Sequence, residues 1–106
     1  MEQRRTRRFK LYLPVAITRS GAQRTTIAGH THNISSNGVL FTTDSNLDPN
    51  GGPIEYLIDL NREGANTVRL RCVGKVVRFE RSENAVTPEA YQVAATLERY
   101  EFIRER

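Results

Sequence analysis

The sequence predicts an all-β domain, a small antiparallel barrel or sandwich. Three observations predict it. Five or six short segments alternate apolar and polar residues with period two, the spacing that puts every second side chain on one face of a strand. Clusters of Gly, Asn, Ser and Pro punctuate these segments at fairly regular intervals. The 106 residues, 38% of them apolar, are enough for one modest core, so 1–106 reads as a single domain.

The first segment alternates Leu11, Leu13, Val15 and Ile17 with Tyr12, Pro14, Ala16 and Thr18. Pro14 lacks an N–H, so this strand lies at an edge or pairs on one side there. Ser20-Gly21-Ala22 turns the chain. Residues 24–34 read as a weaker strand, interrupted by Gly29 and by His30 and His32. The polar turn Asn33-Ile34-Ser35-Ser36-Asn37-Gly38 then leads into the apolar run Val39-Leu40-Phe41. Asn and Ser side chains bond backbone amides in such turns, and Gly permits positive φ.

Residues 44–53 form a loop ending in Pro49, Gly51, Gly52 and Pro53, and Ile54, Tyr56, Ile58 and Leu60 mark the next strand. After a turn over 61–66 comes the longest period-two run, Val68, Leu70, Cys72, Gly74 and Val76, where Gly74 predicts a bulge or bend. The last segment admits two readings. Thr87-Pro88 has the form of a helix N-cap with Pro at the first helical position, and Ala90, Val93, Ala94, Leu97 and Tyr100 then share one helical face. As a strand, Tyr91, Val93, Ala95 and Leu97 face inward instead. Intrinsic propensity alone favours the helix.

Charge is unevenly placed. Of 16 Lys and Arg and 12 Asp and Glu, the first ten residues carry Arg4, Arg5, Arg7, Arg8 and Lys10 against Glu2 alone, and the remainder balances. The formal net charge of +4 therefore resides in a short cationic arm. Arginine pairs with phosphate or carboxylate through two parallel hydrogen bonds, so the arm points to an anionic partner. The charge is confined to this arm, and the strands do not interleave aromatic and basic residues as a stacking platform does, so nucleic acid is not the expected partner.

Several classes are excluded. Cys72 is the single cysteine, so there is no intrachain disulfide and no Cys-based metal site. Apolar runs of only a few residues do not span a membrane, and no signal-peptide pattern follows the basic N-terminus, so a cytoplasmic location is expected. His30 and His32 share a strand face and Asp44 lies nearby in sequence, but these do not supply the ligands a metal needs. A Ser35–His–Asp44 triad can be written down, yet no nucleophile elbow surrounds Ser35. With no P-loop or dinucleotide fingerprint, neither an enzyme nor a bound cofactor or metal is expected.

The combination of arm and turn is more informative than either part. Arg4-x-x-x-Arg8 runs into Phe9-Lys10-Leu11-Tyr12-Leu13-Pro14-Val15, and Asn33-x-Ser35-x-x-Gly38 runs into Val39-Leu40-Phe41. These resemble, in order and separation, the two signatures of the PilZ domain family, the bacterial receptors for cyclic di-GMP. The similarity continues weakly through Lys75-Val76-Val77-Arg78 and Ala94-Ala95-Thr96-Leu97-Glu98-Arg99-Tyr100.

The resemblance implies a six-stranded antiparallel PilZ-type β-barrel with a short C-terminal helical segment. Residues 1–10 would be a flexible arginine-rich arm, 11–98 the barrel, and 99–106 a tail or the start of the helix. It favours a strand over Tyr91 to Leu97. It also implies a ligand clamped between arm and turn. Arg4 and Arg8 would hold phosphate and guanine with Arg5 assisting, Asn33 and Ser35 would bond the ligand, and Gly38 would let the backbone turn. The chemistry fits: arginine matches phosphate oxygens and the guanine O6/N7 edge bidentately, and its flat face stacks on a purine. Gln3, where a cation in the family favours a stacked ligand dimer, implies one ligand per domain. The ordered arm would be read by a downstream protein partner or a neighbouring domain. Two other readings stand beside this one: a PilZ-like fold used only as a protein-interaction module, and a small barrel whose basic arm binds nucleic acid.

Overall fold

The computed structural model describes residues 9–44, 52–61, 67–81 and 91–105. Arg4, Arg5 and Arg8 lie outside the described residues. Among the described residues there are eight strands and no helix. They are β1 (Phe9–Lys10), β2 (Pro14–Ser20), β3 (Gln23–Ile34), β4 (Gly38–Thr43), β5 (Pro53–Asn61), β6 (Thr67–Arg81), β7 (Tyr91–Thr96) and β8 (Arg99–Glu105).

Six strands close a ring. β3 pairs β2, β2 pairs β5, β5 pairs β6, β6 pairs β7, β7 pairs β4, and β4 returns to β3, always antiparallel. Closure removes the open edges that a sheet would otherwise present. β1 adds to β3, and β8 adds to β6.

Alternation along each strand fills the interior. Val15 and Ile17 come from β2, Val39 and Phe41 from β4, Ile54, Tyr56 and Ile58 from β5, Leu70, Cys72 and Val76 from β6, and Val93 and Ala95 from β7. Tyr56 and Phe41 are the largest fully buried side chains, with ring centroids 5.7 Å apart. The Tyr56 hydroxyl donates to the Thr96 carbonyl at 3.0 Å, which satisfies the one polar atom this ring brings inside. Burial holds that hydroxyl protonated far above the ordinary tyrosine range.

Several expectations are met in detail. Pro14 pairs with His30 of β3, whereas pairing with β5 begins at Val15, so the missing N–H falls where β2 is bonded on one side. The segment at 91–96 is a strand. β4 and β6 flank β7 on its two sides, and this pairing overrides the helical propensity of its sequence.

Two expectations are corrected. Residues 99–105 form strand β8, so the C-terminal helical segment is absent there. β6 is 15 residues long, and its Thr67–Val73 half offers an edge that β7 does not use. Tyr100, Phe102 and Ile103 favour a pleated surface, and Arg71 bonds Glu101 at 2.8 Å across the pair. β7 and β8 are thus two collinear strands along one side of β6. The second correction concerns Gly74, which stays in register with Ile54, while the irregularity falls between Val76 and Arg78 in the pairing with β7.

The Cys72 thiol is fully buried, and burial pushes its pKa up to about 12. The thiolate is the reactive form, so Cys72 should resist a thiol reagent at neutral pH until the barrel unfolds. Labelling in native buffer and in denaturant, followed by mass spectrometry, checks this.

Candidate functional site

The root of the arginine arm is fixed by backbone pairing. In β1, Phe9 opposes Ile34 and Lys10 opposes Asn33. The next three residues are clipped to β3. The buried Thr31 hydroxyl donates to the Leu11 carbonyl and accepts from the Leu13 N–H, and the Thr31 N–H donates to the Leu13 carbonyl at 2.8 Å. Tyr12 lies stacked on His30 at 4.5 Å, and His32 Nε2 lies 3.2 Å from Thr42 Oγ1. His30 and His32 therefore pack outside the root of the arm, on the face the sequence assigned them.

The polar turn follows directly. Ser35 N–H donates to the Gly38 carbonyl at 2.9 Å. Ser35 Oγ accepts from the amides of Asn37 and Gly38 at 3.2 Å each and donates to the Gly38 carbonyl at 3.3 Å. A hydroxyl has one proton and two lone pairs, so all of its capacity is used inside the turn. In this conformation Ser35 shapes the turn. Gly38 has a different task from the one expected, because Gly21 is the glycine with positive φ among the described residues. A Cβ on Gly38 would lie 2.9 Å from the Ala95 carbonyl oxygen, so glycine is needed there for close approach of β4 to β7. The Asn37 carbonyl accepts from Leu97 N–H at 2.9 Å and ties the turn to the end of β7.

The turn opens onto a cleft of about 230 Å³ on the outer face of the barrel. Asn33, Ser35, Gly38, Arg78, Ala94 and Thr96 are among its walls. Register explains the grouping. Lys10, Asn33, Leu40, Ala94 and Arg78 form one cross-strand row over β1, β3, β4, β7 and β6. At about 4.8 Å per strand, the three steps from Asn33 to Arg78 span roughly 14 Å. The register shift beside Val77 lies at the far wall, where Val77 is 64% exposed and also lines the cleft. Bulges commonly re-aim side chains beside binding sites.

The structure thus sets Asn33, Ser35 and Gly38 along one cleft and places Lys10 opposite Asn33. It adds Arg78, which the motif reading did not assign. Among the described residues lining the cleft, Arg78 is the charged one, and its Nε lies 4.0 Å from Glu80, a loose pairing that leaves the side chain 61% exposed. By the alternation of β6, Arg78 would follow Leu70, Cys72 and Val76 onto the core face; the register shift beside Val77 turns it outward. Its position beside the turn depends on the β4–β7–β6 register, which no local signal encodes.

The PilZ domain family model matches residues 2–100, spanning both arm and turn. The chain belongs to the PilZ domain family. PilZ domains are binding modules, and the family is known for cyclic di-GMP as its ligand. The fold is similar to the structure of the Bacillus subtilis inhibitor of motility MotI/DgrA, with a TM-score of 0.70 and 20% identity. That likeness covers 95% of this chain and 44% of that one, so this chain spans less than half the length of the neighbour. Comparison with curated protein sequences gives no match.

Proposed function

We propose that this PilZ domain is a cyclic di-GMP receptor that closes its arginine arm over the outer-face cleft and presents the closed form to a partner protein or neighbouring domain. The observation that carries this is the pairing of Lys10 with Asn33. It roots the Arg4–Arg8 segment at the wall of the cleft that the Asn33–Gly38 turn builds. An extended chain spans at most about 3.6 Å per residue, which tethers Arg4 within roughly 18 Å of Phe9. The motif residues Arg4 and Arg8, with Arg5 between them, are therefore tethered within reach of the cleft.

The cleft supports a clamp more than a finished pocket. Its volume of about 230 Å³ lies below the roughly 300–1,000 Å³ that encloses a small-molecule ligand. Its single described cation, Arg78, cannot neutralise a dianion. The arm supplies both the missing wall and the missing charge. Four arginines repel one another, and a dianion relieves that repulsion, so ligand binding offsets the entropy of ordering the arm.

Calorimetry tests the reading. Cyclic di-GMP should bind far more tightly than GTP or a short oligonucleotide at physiological salt. Oligonucleotide binding that falls steeply with salt, without cyclic di-GMP binding, would favour the nucleic-acid alternative. Absence of both would leave the interaction module. Within the receptor reading, Arg78→Ala should weaken cyclic di-GMP by about tenfold, the loss of one charge-assisted contact.

A further inference from the structure

We propose that β8 is a self-recognition edge, at which a second copy of this chain adds antiparallel about a two-fold axis through Phe102. Among the described residues β8 pairs only with β6, so its other edge presents backbone donors and acceptors to solvent. Ion pairs connect the strand to the sheet. Arg71 bonds both Glu101 at 2.8 Å and Glu55 at 3.0 Å, and Glu55 bonds Arg19 at 3.2 Å, an ion ladder across β8, β6, β5 and β2.

The apolar content of β8 is placed where a partner would cover it. Tyr100 opposes Cys72 and Phe102 opposes Leu70, both core residues, so the two rings lie on the inner face of the sheet. They are nevertheless 60% and 67% exposed, packed edge to face with centroids 6.2 Å apart. Two neighbouring aromatics on an open edge are poorly matched to water and well matched to a continued sheet.

Charge selects the occupant and its register. A two-fold axis perpendicular to the sheet keeps inner faces on one side, so each residue meets one of its own parity. Centring the axis on Glu101 sets that carboxylate against its own copy. Centring it on Ile103 sets Glu101 against position 105, a second glutamate in the sequence. Centring it on Phe102 sets Arg99 against position 105, Tyr100 against Arg104, Glu101 against Ile103, and Phe102 against its own copy. Centring on Tyr100 also opposes Arg99 and Glu101 but uses only three residues of β8, whereas the Phe102 register uses all seven, with opposite charges at the ends, Tyr100 against Arg104 and two aromatics at the axis.

Sedimentation velocity over a concentration series should show a monomer–dimer equilibrium without added ligand. Phe102→Glu should shift it to monomer, with an unchanged circular dichroism spectrum because the side chain is exposed. Residue 102 and its copy would face each other at a Cα separation of about 4.5–5.5 Å, within disulfide range. Phe102→Cys should therefore give a cross-linked dimer with oxidised glutathione. Arg99→Cys, about 20 Å from its copy by strand rise, should not, and buried Cys72 does not compete. A monomer at every concentration, a dimer that survives Phe102→Glu, or failure of Phe102→Cys to cross-link each overturns the proposal.

Discussion

Replacing Arg4 and Arg8 together by alanine is expected to abolish measurable cyclic di-GMP binding while the barrel stays folded. The six-stranded ring runs from Pro14 to Thr96 and its described core is drawn from β2, β4, β5, β6 and β7, so the barrel is expected to fold without these side chains. Their absence removes two groups able to bond phosphate or the guanine edge bidentately. Hydrogen bonds to charged groups contribute about 1.5–3 kcal/mol each. Two such losses amount to a fall in affinity of roughly 10²–10⁴-fold, since each 1.4 kcal/mol is about tenfold. Calorimetry reads the affinity, and a thermal melt confirms the fold. Arg8→Lys should fall between wild type and Arg8→Ala, because it keeps the charge and loses the fork. Wild-type affinity in Arg8→Ala would remove the arm from the mechanism.

The effect should separate from that of the cleft wall. Arg78 acts from a barrel strand and contributes no ordering transition. Its loss should weaken binding while the arm still becomes protected from protease at saturating ligand. Loss of Arg4 and Arg8 should remove that protection together with the affinity. These two signatures distinguish a closing arm from a general cationic field, which any arginine would feed equally.

What the sequence made legible follows the range of the interactions involved. Alternation in Val15–Ile17, Ile54–Ile58 and Leu70–Cys72 is local and identifies the core directly. The turn at Asn33–Gly38 is also local, because Ser35 bonds atoms within three residues of itself. Arg78 escaped because its place in the cleft depends on strands distant in sequence coming into register. The same holds for Gly38 and Gly74, whose reasons are carbonyls of β7 approaching from across the sheet. β8 was misread as helical because the family pattern prescribed a helix there. The segment's own alternation of Tyr100 and Phe102 with charged residues carried the better signal, and the long β6 edge realised it.

Gly74→Ala is expected to be the most damaging small substitution in the barrel. A Cβ there would lie 1.8 Å from the Thr96 carbonyl oxygen and 2.9 Å from Thr96 Oγ1, so the end of β7 must move. That carbonyl is the acceptor of the buried Tyr56 hydroxyl, and Thr96 Oγ1 accepts from Lys75 N–H at 2.9 Å. Displacing Thr96 strands the Tyr56 proton in the core and loosens the junction where β6 passes from β8 to β7. Overpacking and a buried unpaired group together predict a loss of about 2–4 kcal/mol, a fall in Tm of roughly 10–20 °C for a domain of this size. Tyr56→Phe removes only the hydroxyl and should cost about 1 kcal/mol. If the two changes act through the same carbonyl, the double variant should be less destabilised than the sum of the singles. Additive effects would mean that Thr96 yields without releasing Tyr56. Because Thr96 also lines the cleft, the Gly74 variant should bind cyclic di-GMP more weakly even where it remains folded, and titration well below its Tm measures that loss.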